Sequence, residues 1–285
     1  MIKPMQRDDV LLADIAQARE DDEALHLWWL GQSGYLIQWQ GRHLLLDPYL
    51  SDSLTLKYAE TQKPHVRMTE RVVEPGRLDF IDVVTSSHNH TDHLDGETLI
   101  PLIKANPMLT VMVPQANRPF AAERLRVDSA RLKGIVCGRP ETVGAFEFNA
   151  VPAAHEAIET DDRGNHKFIG LVVRFGPWTI YHSGDTIRYE GMVKHLSPWS
   201  IDIALLPING RDPARAVAGN LSGDEAARLA KEAGVGLVIP CHYDMFEFNT
   251  ASPEAFETAC RREGQSFRTL KCGERLRLPS KKSPG

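Results

Sequence analysis

The sequence predicts an α/β (α+β) fold in which two mixed β-sheets pack face to face between outer helices, a four-layer αββα sandwich. Segments with strand-like and helix-like periodicity alternate in two successive halves of the chain. No internal repeat interrupts this order, and 285 residues are enough to bury one large core. A composition of 42% hydrophobic and 25% charged residues excludes a disordered chain.

Short apolar segments separated by glycines open the first half of the chain. These segments cover residues 25–30, 35–39 and 43–46. They predict an antiparallel meander with Gln40 and Gly41 as a turn. Residues 51–79 contain two prolines and no clean period, so we expect a long loop or short helix near the mouth of a site. The pattern then predicts a helix at 96–105, a strand at 110–113 and a helix at 116–126.

The second half repeats the alternation of strands and helices. Ser222, Glu225 and Gly234 predict the start, the capping box and the end of one helix. Ser252 followed by Pro253 predicts the first turn of the last helix. The predicted elements are a hairpin at 168–175 and 178–181, a buried strand at 201–207, helices at 222–233 and 253–263, and a closing strand at 267–278.

Residues 88–93 read His-Asn-His-Thr-Asp-His and directly follow an apolar strand-like run. On a tight loop these side chains can converge on one point. Neutral imidazoles and a carboxylate suit zinc, manganese or iron. The spacing offers His88 and His90 to one ion, and Asp92 and His93 to a second ion about 3.5–4 Å away.

Such a loop needs further ligands from distant strand ends, and three candidates follow strand-like segments. His155 would complete a three-histidine site with His88 and His90. His242 would join Asp92 and His93, and Asp185 would bridge both ions. A site with only the three-histidine ion, in which Asp92 acts as a base, stays open as an alternative.

Four motifs carry a resemblance to a known family. They are Trp28-Trp29-Leu30-Gly31-Gln32-Ser33-Gly34, Leu45-Leu46-Asp47-Pro48-Tyr49, Tyr181-His182-Ser183-Gly184-Asp185 and Ile239-Pro240-Cys241-His242-Tyr243-Asp244. With the metal loop, they resemble the metallo-β-lactamase-fold hydrolase superfamily and, within it, the group of L-ascorbate-6-phosphate lactonase. The resemblance implies one domain at 25–278, after a lead-in at 1–24 and before a tail at 279–285.

The expected chemistry is hydrolysis by a metal-activated hydroxide. Two divalent ions, two carboxylates and one hydroxide leave a charge of about +1, which favours an anionic ester or lactone. The alternative is a phosphodiesterase acting on a nucleotide, nucleic acid or phospholipid. Two further alternatives are an iron-dependent oxidoreductase, whose diiron type has a glutamate where Asn89 stands, and a scaffold protein with an inactive site.

Other polar residues near the predicted strand ends are candidates for contact with substrate. Asn209, Arg211 and Asn220 follow the strand at 201–207, and Arg211 could pair with a phosphate or carboxylate. A surface turn is the alternative for each. Asp92 and Asp185 are the first two candidate catalytic residues, and Tyr243, which neighbours the predicted ligand His242, is the third. Tyr243 could donate a proton or a hydrogen bond; the alternative is a structural tyrosine.

Composition limits the partners and the location. A net charge of −5 gives no general affinity for nucleic acid, so the expected partner is a small anionic substrate, and a homo-oligomer stays open. No run approaches the ~18 apolar residues of a membrane span, and the first residues lack the apolar core of a signal peptide. The four cysteines lack paired spacing. These features together predict a cytoplasmic enzyme with two Zn²⁺ or Mn²⁺ ions per chain.

Overall fold

The computed structural model describes residues 1–215 and 219–281, whose strands form two mixed sheets. The first sheet runs, in spatial order, β13 (Arg275–Pro279), β1 (Ala24–Gly31), β2 (Gly34–Trp39), β3 (Arg42–Leu46), β4 (Val83–Thr85), β5 (Thr110–Pro114) and β6 (Leu132–Ile135). Its pairs are antiparallel from β13 to β3 and parallel from β3 to β6. The predicted meander is present, and Gln40 and Gly41 both have positive φ, as a two-residue type I′ turn requires.

The second sheet comes from the second half of the chain. Its spatial order is β12 (Leu237–Cys241), β11 (Ile203–Pro207), β10 (Trp178–His182), β9 (Ile169–Phe175), β8 (Phe146–Pro152) and β7 (Glu141–Val143). Strands β10 to β12 pair in parallel, whereas β7 to β10 are antiparallel. The two sheets pack face to face: the hydroxyl of Tyr35 on β2 donates to the carbonyl of Pro240 on β12 at 3.0 Å.

Helices cover the outer faces of the two sheets, which gives the predicted αββα layers. Their bounds are α1 (Asp8–Ala18), α2 (Ser53–Lys57), α3 (Gly96–Ala105), α4 (Arg118–Leu125), α5 (Met192–Leu196), α6 (Gly223–Glu232) and α7 (Pro253–Glu263). The predicted capping box of α6 is formed: Ser222 Oγ accepts from the Glu225 amide, and the Glu225 carboxylate accepts from the Ser222 amide. No helix among the residues that the structure describes is long and apolar enough to cross a bilayer.

At the ends of the chain, the structure shows one helix that was not predicted and one strand that is shorter than predicted. The lead-in forms α1, which buries Leu11, Ile15 and Ala18 in the core. The closing strand is shorter than predicted, because Gly273 has a φ of +78° and turns the chain just before β13. Pro279 belongs to β13 rather than to a tail, and residues 282–285 lie outside the described part.

Sheet topology brings the ends of six strands to one edge of the sandwich. In the first sheet β1, β3 and β4 run in the same direction, and in the second sheet β8, β10 and β12 do. The carboxyl ends of each set therefore lie on one side. The candidate metal loop follows β4, and the other three predicted ligands follow β8, β10 and β12.

Candidate metal centre

The loop after β4 folds so that its polar side chains turn inward. The amides of His93 and Leu94 both donate to the carbonyl of His90, at 3.1 and 2.8 Å, which closes a tight turn. Ser86 Oγ donates to the carbonyl of His88 at 2.6 Å and fixes the start of the loop. His88 and His93 are buried, whereas His90 and Asp92 reach the surface of a cleft.

All seven predicted ligands come together in two adjoining groups. Within each group the possible ligand atoms lie within 4.8 Å of one another. The groups are His88, His90 and His155, and Asp92, His93, Asp185 and His242. The sequence prediction had the same groups, except that it placed Asp185 as a bridge between them.

Asp185 lies between the two groups, as a bridging carboxylate must. Its Oδ1 is 3.2 Å from Nε2 of His93. Its Oδ2 is 3.5 Å from Nε2 of His155 and 3.4 Å from Nε2 of His242. One side chain is thus within reach of an ion in either group.

The donor atoms fit divalent cations. Nε2 of His88, Nε2 of His93 and Oδ1 of Asp185 are buried without a hydrogen-bond partner among the described residues. Unsatisfied polar atoms are costly in a protein interior, and a coordinated cation would satisfy all three. Imidazole and carboxylate donors suit zinc, manganese and iron alike.

Hydrogen bonds behind three of the histidines leave their Nε2 atoms free to face a cation. Nδ1 of His93 donates to the Asp47 carboxylate at 2.7 Å, and Nδ1 of His155 donates to the carbonyl of Gly219 at 2.9 Å. Ser87 Oγ donates to Asp47 and accepts from Nδ1 of His88, 3.1 Å away. Such outer partners fix the tautomer and orientation of metal-binding imidazoles.

Gln32 joins the second group from the end of β1. Its Nε2 donates to Oδ2 of Asp92 at 2.8 Å and lies 2.9 Å from Nε2 of His242. Gln32, Asp47 and His242 all have positive φ, at 49°, 38° and 62°. Residues other than glycine rarely adopt this conformation, and strained backbone of this kind concentrates at functional sites.

The charges of the second group perturb its pKa values strongly. Burial opposes ionisation of Asp92 and Asp185, but the neighbouring His93 and His242 lower the pKa of both carboxyls. Burial likewise opposes protonation of His242, but Asp185 and Asp92 raise its pKa to about 9. Without a metal this imidazole holds a proton at neutral pH, so a cation must displace that proton to bind.

The cluster forms the floor of a cleft of about 470 Å³. One wall carries the aromatic residues Tyr58, His65, Phe246 and Phe248, and Lys57 lies beside them. The rest of the lining includes Asn89, Thr91, Arg124 and Glu156. Part of the 51–79 segment therefore lies at the mouth of the site, as predicted.

Comparison with known proteins identifies the family. A family model described as a beta-lactamase superfamily domain matches residues 42–243. The chain belongs to the beta-lactamase superfamily. Its fold is the metallo-β-lactamase fold, and the family and the cluster together place it among the metal-dependent hydrolases of that fold.

Similar proteins agree with this assignment. The UPF0173 metal-dependent hydrolase of Caldivirga maquilingensis is 27% identical over 259 residues, which cover 90% of this chain and 99% of the relative. A metallo hydrolase from Ignicoccus hospitalis has a similar structure, with a TM-score of 0.66, 19% identity and coverage of 90% of this chain and 100% of that one. The metallo-beta-lactamase fold protein YhfI of Bacillus subtilis has a TM-score of 0.63, 19% identity and the same coverage of both chains.

The structure contradicts the catalytic role predicted for Tyr243. Its ring stacks on Trp29 at 4.3 Å, and its hydroxyl donates to the carbonyl of Leu270. Burial raises the pKa of the Tyr243 hydroxyl above its usual value. The side chain points away from the cluster into the core, so Tyr243 is structural.

The three predicted substrate contacts also lie outside the cleft lining. Both terminal nitrogens of Arg211 donate to the Glu225 carboxylate, at 3.0 and 2.5 Å. Asn209 donates to Asn249 at 2.9 Å and thus lies behind a cleft residue. Asn220 is buried next to Gly219, whose carbonyl orients His155. Asn209 and Asn220 therefore lie next to residues of the site, whereas Arg211 is held in an ion pair at the surface.

Sequence reasoning missed four residues that the structure places at the site. Asp47 and Gln32 stand in the motifs that carry the family resemblance, yet neither was assigned a role. Lys57 and Arg124, the cations of the cleft lining, come from α2 and α4. No motif marks these two, because their position depends on how the helices pack.

Proposed function

We propose that this chain hydrolyses small anionic esters or lactones with two bound divalent ions, Zn²⁺ or Mn²⁺. The observation that carries the proposal is the pair of adjoining ligand groups with Asp185 between them, at the floor of the cleft. A cleft of about 470 Å³ suits a small molecule. Bound ions would supply an activated water as nucleophile and would polarise the substrate oxygen.

The residues of the chain then have separate roles. Asp92 and Asp185, ionised because their pKa values are lowered, would bind the cations and neutralise part of their charge. Gln32 holds Asp92 in position through its 2.8 Å hydrogen bond. Lys57 and Arg124 attract the anionic part of the substrate to the cleft.

The position of Arg124 supports this last role. Its Nη1 donates to the carbonyls of Asn89 and Leu94, at 2.6 and 3.2 Å. These bonds hold the guanidinium beside the metal loop while it lines the cleft. Arg124 can therefore bind a carboxylate or phosphate without first breaking a strong ion pair. Arg211, by contrast, would have to break its ion pair with Glu225.

A phosphodiesterase is the second candidate. Two ions about 3.5–4 Å apart can stabilise both the attacking and the leaving oxygen of a displacement at phosphorus. The adjoining ligand groups would allow such a spacing. An iron-dependent oxidoreductase is disfavoured, because Asn89 stands where the resembling diiron type has a glutamate.

The deciding experiment compares two substrates with zinc- and manganese-loaded protein. We expect opening of a phosphorylated sugar lactone, no cleavage of bis(p-nitrophenyl) phosphate, and no activity in His88→Ala. Cleavage of the phosphodiester alone would replace the first proposal by the second. The cytoplasmic location and the oligomeric state stay predictions from the sequence.

A further inference from the structure

One wall of the cleft is aromatic, and nothing in the proposed hydrolysis explains it. We call Tyr58, His65, Phe246 and Phe248 the aromatic wall. Tyr58 and His65 follow α2, and the two phenylalanines follow β12. Phe246 belongs to a small buried apolar cluster, separate from the main core, against which Tyr58 and Phe248 pack. The wall is therefore a built surface rather than an edge of the main core.

The rings of the wall hold one another in a fixed arrangement. The rings of His65 and Tyr58 stack at 4.2 Å with an interplanar angle of 19°. Phe248 and Phe246 meet His65 edge-on, at 4.5 and 5.2 Å. Thr55 Oγ1 donates to the carbonyl of His65 at 2.7 Å, which anchors the backbone. A substrate would meet these rings without paying for their ordering.

His65 gives the wall one hydrogen-bonding atom and no charge at neutral pH. Burial lowers the pKa of His65, so its ring is neutral. Nδ1 lies 3.2 Å from the carbonyl of Lys63, and because a carbonyl only accepts, Nδ1 carries the proton. Nε2 is then the acceptor of the ring.

The rest of the cleft is lined by polar and charged side chains. The lining away from the wall includes Asn89, Thr91, Arg124 and Glu156. At the rim of the wall, Nζ of Lys57 lies 5.0 Å from the centre of the Tyr58 ring. The cleft thus offers an uncharged aromatic face and cations around it, with the metal ligands below.

We propose that the aromatic wall binds a planar, uncharged aromatic or heteroaromatic group of the substrate beside the bond that is hydrolysed. The inference rests on the proposed hydrolysis and adds the class of substrate to it. Aromatic rings gain from stacked and edge-on contacts beyond the area that they bury. A saturated ring of the same size buries a similar area but lacks these contacts. The wall should therefore distinguish the two.

The first test measures binding alone. Calorimetry with zinc-loaded protein compares benzoate with cyclohexanecarboxylate, whose carboxylates can meet the ions in the same way. We expect benzoate to bind about two- to twelvefold more tightly, the range that aromatic pairing supplies. Phe248→Ala should remove most of this preference. His65→Phe should keep it, because the stack with Tyr58 survives.

Phe80→Ala is the matched control, since Phe80 is a half-buried aromatic residue beside the opposite ends of the strands. It should leave the preference unchanged. Equal binding of the two carboxylates by the unmodified protein would overturn the inference. So would a preference that persists in Phe248→Ala and in His65→Ala.

The second test measures KM for 5-carboxyphthalide and for its cyclohexane-fused counterpart. A lower KM for the aromatic lactone, lost in Phe248→Ala, supports the inference. Opening of both lactones with equal KM overturns the inference while the proposed hydrolysis stands. If neither lactone opens but benzoate is still preferred, the proposal of lactone hydrolysis fails and the aromatic wall remains a binding surface.

Discussion

Asp47→Asn removes the charge behind the metal ligands without changing the size of the side chain. Asp47 is fully buried and accepts hydrogen bonds from Nδ1 of His93, from the amide and hydroxyl of Ser87 and from Oγ1 of Thr85. Both of its oxygens accept. In the variant the amide nitrogen must face one of these donors, whichever way the side chain turns.

The size of the effect follows from the shortest of these contacts. The 2.7 Å bond from His93 to a buried carboxylate is charge-assisted, and such bonds contribute about 1.5–3 kcal/mol. Loss of an outer partner of a metal-binding histidine costs about 10–100-fold in metal affinity or activity. The two ranges agree, since about 1.4 kcal/mol corresponds to a tenfold change in an equilibrium constant. We therefore expect zinc affinity to fall by at least about tenfold.

Competition with a chromophoric chelator measures this affinity, and circular dichroism checks that the variant is folded. Asp82→Asn is the control, because Asp82 also accepts a backbone hydrogen bond, from His43 at 2.7 Å, but precedes β4 at the other side of the sandwich. It should bind zinc normally. Zinc affinity in Asp47→Asn within about twofold of the unmodified protein would refute the role assigned to Asp47.

Three further predictions concern the bridge, acid stability and a corrected residue. Asp185→Ala should lose one ion and most turnover while staying folded, as metal analysis, kinetics and circular dichroism would show; full activity contradicts the bridging role. Burial lowers the pKa of His43 in the folded protein from 6.5 to about 4. Between these two pH values the unfolded chain binds a proton that the folded protein does not, so the free energy of unfolding decreases as the pH falls. In urea unfolding of metal-free protein, His43→Leu should therefore reduce the decrease in unfolding free energy between pH 7 and pH 5 by about 2 kcal/mol; an equal decrease in both proteins rejects this account. Arg211→Ala should leave KM unchanged and lower stability by less than about 1 kcal/mol, because Arg211 pairs with Glu225 at the surface; a large rise in KM would restore it as a substrate contact.

The metal ligands could be predicted because their signal is local and chemical. Four of the seven stand within six residues, and the others follow recognisable strands. Parallel strand direction then brings those ends to one edge of the sandwich, whatever the details of packing. Helix ends were equally predictable where capping residues mark them, as at Ser222 and Pro253.

The supporting residues could not be predicted, because sequence does not show which way a side chain points. Tyr243 neighbours a ligand, yet the positive φ of His242 turns the chain and Tyr243 enters the core. Arg211 follows the predicted strand, but its guanidinium pairs with the carboxylate of Glu225 in the capping box rather than entering the cleft. Helix α1 was not predicted, although its buried residues Leu11, Ile15 and Ala18 recur at helical spacing.

The most direct test of the two-ion site is anomalous diffraction at the zinc edge from crystals of zinc-loaded protein. The account predicts two peaks about 3.5–4 Å apart, one beside His88, His90 and His155 and one beside Asp92, His93 and His242, with Asp185 between them. A single peak, or peaks away from these side chains, would contradict it.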